Sequence, residues 1–310
     1  MKRYIAAVGI MAGVAVLGSP LALAAPIWDA KAGGTGAGQG YLNEPAQVTL
    51  DSQGRLYIAD RMNDRIDIYD GAGTYAATLG RSGSGQGDLF RPEGIAVGAD
   101  DRVFVADSGN HRIQVFAANG DVLHAWGQLG VKPGQFNSPG GVTADVYGTI
   151  YVADTGNNRI QVFDENGTFV HAWGSRGSKK GQFEQPAALW AAPDGKVWVA
   201  DTGNHRIQVF DSSGNFLLQF GNKGMGPGKL FNPQAIAGDG NGIIYVADVN
   251  HRLQAYTSTG IFLKSWGRFG AGEDGLNLPT GLVVTPGGMA YVADSGNHRI
   301  VDFRVNSAPT

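Results

Sequence analysis

The sequence predicts an all-β chain: a six-bladed β-propeller of four-stranded antiparallel blades, with the last blade closed by the N-terminal strand. Three observations carry that prediction. One motif recurs six times at a near-constant interval, each interval holds four short apolar runs split by turn sequences, and the two ends of the chain carry complementary parts of one unit. A period of this length and regularity marks a single supersecondary unit copied along the chain.

The motif reads YIADRMNDRIDIY from Tyr57, FVADSGNHRIQVF from Phe104, YVADTGNNRIQVF from Tyr151, WVADTGNHRIQVF from Trp198, YVADVNHRLQAY from Tyr245 and YVADSGNHRIVDF from Tyr291. Its aspartates (Asp60, Asp107, Asp154, Asp201, Asp248 and Asp294) are 47 residues apart four times and 46 once. In the third unit the apolar runs 141–144, 149–153, 159–163 and 168–173 are too short for helices. They alternate as strands do, Ile160 and Val162 against Gln161 and Phe163. The intervening Gly-Asn and Asn-Gly pairs supply the positive φ that tight turns need. Each unit is thus a meander of strands a to d, and such meanders repeated radially are propeller blades. The units fall at about 45–80, 92–127, 139–174, 186–221, 233–267 and 279–305.

The sixth unit reaches only its third strand by Val305. Near the other end, Trp28-Asp29 precedes a linker at 38–45 that matches the linkers after Trp126-Gly127 and Trp173-Gly174. A strand at 26–30 is therefore expected to supply strand d of the final blade and to hide two open sheet edges.

The motif resembles the NHL repeat, named for Asn-His-Leu and present here as Asn-His-Arg at 110–112, 204–206, 250–252 and 297–299. The resemblance implies a propeller, and it also tests enzymatic readings. Peptidyl-hydroxyglycine amidating lyases share this propeller and hold zinc through histidines placed directly after three strand-a prolines. Here those positions are Ala46, Glu93, Gly140, Ala187, Gln234 and Thr280, so the zinc site does not carry over, and no metal or cofactor is expected. Lactonase-type propellers gather several carboxylates or amides around calcium. Glu93 and Gln234, with Gln47 one step deeper, are what this chain offers at the channel mouth, where a hydrolase or lyase site would lie. NHL domains of cytoplasmic regulators bind single-stranded RNA, a minor reading that export would remove, so no nucleic acid is expected.

Export is the expectation from residues 1–24, where Lys2-Arg3, an apolar run at 5–17 and Ala22-Leu23-Ala24 have the parts of a secretory signal peptide. Residues 25–310 then form a single domain, periplasmic or extracellular, with no membrane span. The chain has no cysteine, which excludes disulfides, thiolate metal sites and thiol catalysis. Without Lys2 and Arg3, 22 basic residues stand against 27 acidic ones.

Each repeat pairs an aspartate with an arginine: Asp60 with Arg65, Asp107 with Arg112, Asp154 with Arg159, Asp201 with Arg206, Asp248 with Arg252, and Asp294 with Arg299. Because every blade has the pair, a scaffold role is expected, with the carboxylate accepting N–H bonds in its own turn. His111, His205, His251 and His298 share one repeat position, occupied in the other blades by Asp64 and Asn158. Sitting on different blades, they are expected to pack turns.

Function is expected on the face shared by the b-to-c turns and the long, dissimilar d-to-a loops, since variable loops on a rigid scaffold are where binding lies. The loops carry Arg81, Arg91, Lys132, Arg176, Lys179, Lys180, Lys223, Lys229 and Arg268, whereas the opposite turns are acidic. Such a face steers anionic partners. The sequence therefore predicts a monomeric, non-enzymatic interaction scaffold that binds a protein, peptide or glycan through this face.

Overall fold

The structure, a computed structural model, describes residues 38–272 and 274–305. The expected signal peptide and the closing strand at 26–30 lie outside the described residues. Blade 1 consists of β1 (Pro45–Leu50), β2 (Leu56–Asp60), β3 (Arg65–Tyr69) and β4 (Tyr75–Leu79). Blade 2 has β5 (Pro92–Val97), β6 (Val103–Asp107), β7 (Arg112–Phe116) and β8 (Val122–Trp126). Blade 3 has β9 (Val142–Ala144), β10 (Ile150–Asp154), β11 (Arg159–Phe163) and β12 (Phe169–Trp173). Blade 4 has β13 (Pro186–Ala191), β14 (Val197–Asp201), β15 (Arg206–Phe210) and β16 (Phe216–Phe220). Blade 5 has β17 (Pro233–Gly238), β18 (Ile243–Asp248), β19 (Arg252–Thr257) and β20 (Phe262–Trp266). A two-residue parallel pair, β21 (Arg268–Phe269) with β22 (Gly275–Leu276), lies in the next connection. Blade 6 has β23 (Pro279–Val284), β24 (Met289–Asp294) and β25 (Arg299–Arg304).

The first five sheets are antiparallel and run in the order a, b, c, d, and the sixth has a, b and c among the described residues. Strands b of blades 1 to 4 are buried along their whole length because blades cover both their faces. Strands d of blades 2 to 4 alternate between half-buried and exposed residues, since only one face meets the neighbouring blade. The core is therefore a series of layers between blades. One such layer joins Ala106, Ile113 and Phe136 to Val152 and Phe163 of the next blade.

The inner strands close the ring. Thr280 Oγ1 donates to the Pro45 carbonyl at 2.9 Å, and the Leu282 N–H donates to Gln47 Oε1 at 3.1 Å, tying blade 6 to blade 1. Neighbouring inner strands run so close that a Cβ on Gly94 would fall on the Gly140 carbonyl, which leaves glycine as the residue that fits there.

The b-to-c turn is a single 3₁₀ turn in five blades, ended by a residue in the left-handed region, such as His111 at φ 56°. Blade 5 has one residue fewer in this turn, and that deletion accounts for the 46-residue interval. Its aspartate and arginine are four positions apart instead of five.

Candidate binding face and channel mouth

The sequence reading expected the repeated aspartate to cap its own turn; it does so in the shortened blade 5, where Asp248 Oδ1 accepts the Asn250 N–H at 3.0 Å, but not in the other five blades. In five blades its Oδ1 reaches back to the preceding d-to-a loop and accepts a backbone N–H from Asn43, Phe90, Asn137, Glu184 or Asn277, at 2.6–2.8 Å. The 3₁₀ turn draws the chain away from the carboxylate, and the loop N–H takes the position instead. Asp154 shows the full set: it also accepts from Asn157, from Arg159 Nε at 2.8 Å and from Gln161 at 3.0 Å. Arg159 then donates its two outer nitrogens to the carbonyls of Val131, Lys132 and Gln135 in that same loop. Asp and Arg thus hold the loops from beneath.

The histidine position has a second, definite task. Nδ1 of His111, His205, His251 and His298 accepts the backbone N–H of Ser138, Asn232, Leu278 and Glu44 respectively, at 3.0–3.1 Å. Asn158 and Asp64 do the same through Oδ1, for Gln185 at 2.8 Å and Arg91 at 2.7 Å. All six donors have left-handed φ, between 45° and 51°. One acceptor at one reach explains why His, Asn and Asp interchange there. Burial, with Lys223 beside it, keeps the His205 imidazole below its ordinary range and leaves its acceptor nitrogen unprotonated.

The six residues after the strand-a prolines, together with Gln47, meet at the channel mouth, where they line a cavity of about 390 Å³. The sequence reading missed one of the cations that line it, Arg61. Arg61 takes the place of the Ser or Thr found in the other 3₁₀ turns, which is the one signal that could have revealed it. Thr155 and Thr202 donate their hydroxyls to the carbonyls of Pro186 and Pro233 at 2.7 and 2.6 Å. Arg61 instead pairs with Glu44 at 2.8 Å and with Glu93 at 3.3 Å, while its buried Nε has no hydrogen-bond partner among the described residues. Burial raises the Glu93 carboxyl above its ordinary range, and Arg61 pulls the other way. Arg91 lines the same cavity. No group of three or more metal-ligating side chains occurs among the described residues.

The nine predicted loop cations divide by environment. Arg81 is paired with Asp88 at 2.7 Å and Arg176 with Glu184 at 3.1 Å. Lys180 and Lys223 lie over the rings of Phe216 and Phe231. Lys132, Lys179, Lys229 and Arg268 have no ion pair among the described residues. The three successive loops 128–139, 175–186 and 222–233 hold six basic residues and one acidic one, so the charge gathers on one arc of the ring. Exposed apolar side chains share the first and third of these loops: Leu129 at 62%, Val131 at 72% and Met225 at 78% exposure.

A profile of the NHL repeat matches residues 91–116, 136–163, 183–210 and 276–303. The chain carries NHL repeats. The two repeats passed over are those with an altered b-to-c turn, blade 1 with Arg61-Met62-Asn63-Asp64 and the shortened blade 5. Among solved structures, the NHL propeller is similar to a streptogramin B lyase, with TM-score 0.61, 14% identity, and 86% of this chain and 84% of that one covered. It is similar to a Kuenenia stuttgartiensis hydrazine synthase, with TM-score 0.62, 13% identity, and 86% and 97% covered. It also resembles a chain of a nidogen/laminin complex, with TM-score 0.57, 20% identity, and 73% and 80% covered. These likenesses establish the fold alone. No curated protein matches the NHL propeller.

Proposed function

We propose that this NHL propeller is an exported interaction scaffold whose d-to-a loop face binds an anionic protein, peptide or glycan. The observation that carries the reading is the arc of Lys132, Lys179, Lys180, Lys223 and Lys229. Two of their three loops also carry exposed apolar side chains, and all three are held from beneath by the Asp and Arg hydrogen bonds. Rigid loops lose little entropy on binding, and clustered charge speeds encounter with an oppositely charged partner.

The test is affinity capture from an envelope extract with the wild type and with the triple variant Arg176→Glu, Lys179→Glu and Lys180→Glu. Partners held by the wild type should be lost from the variant at unchanged Tm, since exposed charges contribute little to folding. They should also be lost from the wild type as salt shortens the Debye length from about 10 Å at 0.1 M to about 3 Å at 1 M. Capture that survives both changes refutes the reading.

The second reading, a hydrolase or lyase at the channel mouth, is favoured by the ionisable side chains of Arg61, Arg91 and Glu93 that line one cavity there. Glu93 is its one carboxylate directly after a strand-a proline. Turnover abolished by Glu93→Gln, with the triple variant fully active, would favour this site over the loop face.

A further inference from the structure

The repeats act as internal controls for one another, so one loop position can be compared around the ring. An outer nitrogen of each repeat arginine holds the carbonyl of the same loop residue: Arg112 holds Ser84, Arg159 holds Val131, Arg206 holds Ser178, Arg252 holds Met225 and Arg299 holds Ala271, at 2.6–3.0 Å. With the backbone fixed there, all five side chains are exposed. Three of them are the small residues that an exposed tip favours. The other two, Val131 and Met225, are large and apolar, and Leu129 stands exposed two residues before Val131.

Equivalent positions in a propeller of like blades lie at one height above the ring, so Val131 and Met225 form a level pair. The loop between them, 175–186, carries Lys179 and Lys180, while Lys132 and Lys223 stand beside the two tips. None of these four lysines has an ion pair among the described residues, whereas Arg176 is tied to Glu184. Apolar side chains of a peripheral protein enter the boundary between headgroups and acyl chains, and each lysine near an anionic surface strengthens binding by about fivefold. Lysine fits that task. Its compact, flexible charge meets a diffuse layer of phosphates, whereas shaped protein interfaces favour arginine and aromatic anchors. The acidic turns on the opposite face then point away from the lipid, which orients the ring despite its net negative charge.

We propose that the loop face docks on an anionic phospholipid bilayer, with Val131 and Met225 inserted among the headgroups and Lys132, Lys179, Lys180 and Lys223 against the phosphates. The proposal rests on the reading that the basic arc receives an anionic partner. It gives a task to the two apolar tips, which that charge argument leaves unused.

The test is co-sedimentation with vesicles of phosphatidylcholine alone and of phosphatidylcholine mixed with phosphatidylglycerol in equal parts. It uses the chain from Ala25 onward, which keeps every described residue and leaves out the apolar leader that would itself enter lipid. The wild type should bind the mixed vesicles and not the neutral ones, and it should be released as salt approaches 1 M, where the Debye length is about 3 Å. Val131→Ser combined with Met225→Ser should weaken binding about fivefold or more, and the triple reversal Arg176→Glu, Lys179→Glu and Lys180→Glu about tenfold or more, both at unchanged Tm. Two independent variants keep the test decisive where one fails to fold. No binding of the wild type to mixed vesicles, or equal binding by the serine pair, overturns the proposal. Vesicle binding that survives the triple reversal also overturns it, because the lysines would then play no part. The two readings fail separately: capture of a soluble partner by the wild type, with no vesicle bound, sinks the bilayer and leaves the loop-face scaffold standing.

Discussion

Blade 1 shows how much one side chain can alter within a repeated frame. Blades 2 to 5 carry Gln114, Gln161, Gln208 and Gln254 beside the buried aspartate, whereas blade 1 carries Asp67. Asp60 and Asp67 are both fully buried and share Arg65, at 3.1 and 2.9 Å. Burial first, with the neighbouring Asp67 adding to it, pushes the Asp60 carboxyl up to about 6, against the opposing bonds from Asn43 and Asn63. An acid with a raised folded pKa holds its proton more tightly when folded. The contribution to stability is therefore largest below about pH 4 and is lost as pH rises through about 6, by roughly 3 kcal/mol at most for a shift of this size. Asp67→Asn removes the like charge. It should raise stability at neutral pH by about 1 kcal/mol and flatten the slope between about pH 4 and 6. Urea melts across that range read both effects, and a slope equal to that of the wild type would acquit Asp67.

At the scale of turns and loops, the Asp and Arg pair works as a clamp between successive connections. Asp154→Ala strips acceptors from the Asn137 N–H, Asn157, Arg159 and Gln161 together, so a loss of about 3 kcal/mol or more is expected in denaturant melts. Asp248→Ala should cost less, because its bonds to the Phe231 N–H and Arg252 Nε are 3.3 Å or longer, where Asp154 has 2.8 Å for both, and its shorter bonds, from the Asn250 N–H at 3.0 Å and Arg252 Nη2 at 3.1 Å, stay within its own turn and ion pair. Equal losses at the two sites would show that bond length does not grade the clamp. The strands themselves were legible in the sequence, since alternation and turn residues are local signals. The clamp was legible as a pattern but not as a geometry: Asp154 bonds to a residue 17 positions earlier, and the hydrogen bond joining His298 to Glu44 spans 254 positions. The candidate mouth residues Glu93, Gln234 and Gln47 could be placed from the prolines. Arg61 could not, because its partners come from neighbouring loops and its own turn looks ordinary apart from that one substitution.

At the scale of the whole ring, blades differ less in their cores than at their edges, and the functional proposals divide along the same line. The basic arc lies over the connections entering blades 3 to 5, while the ion-paired side of the mouth lies where blades 1 and 2 meet. No helix among the described residues is long and apolar enough to cross a membrane. The shortened turn of blade 5 has a consequence for how such a ring breathes. Each junction is held only by its own neighbours, so a local opening there need not wait for global unfolding. In native-state hydrogen exchange the Phe231 amide should therefore lose its proton to solvent ahead of its counterparts at Phe90, Asn137 and Glu184. Uniform protection of the four would mean the ring opens as one unit. If Phe231 leads, the weakest seam of the propeller lies beside the arc of lysines, and the surface proposed to receive a partner is also the one that yields first.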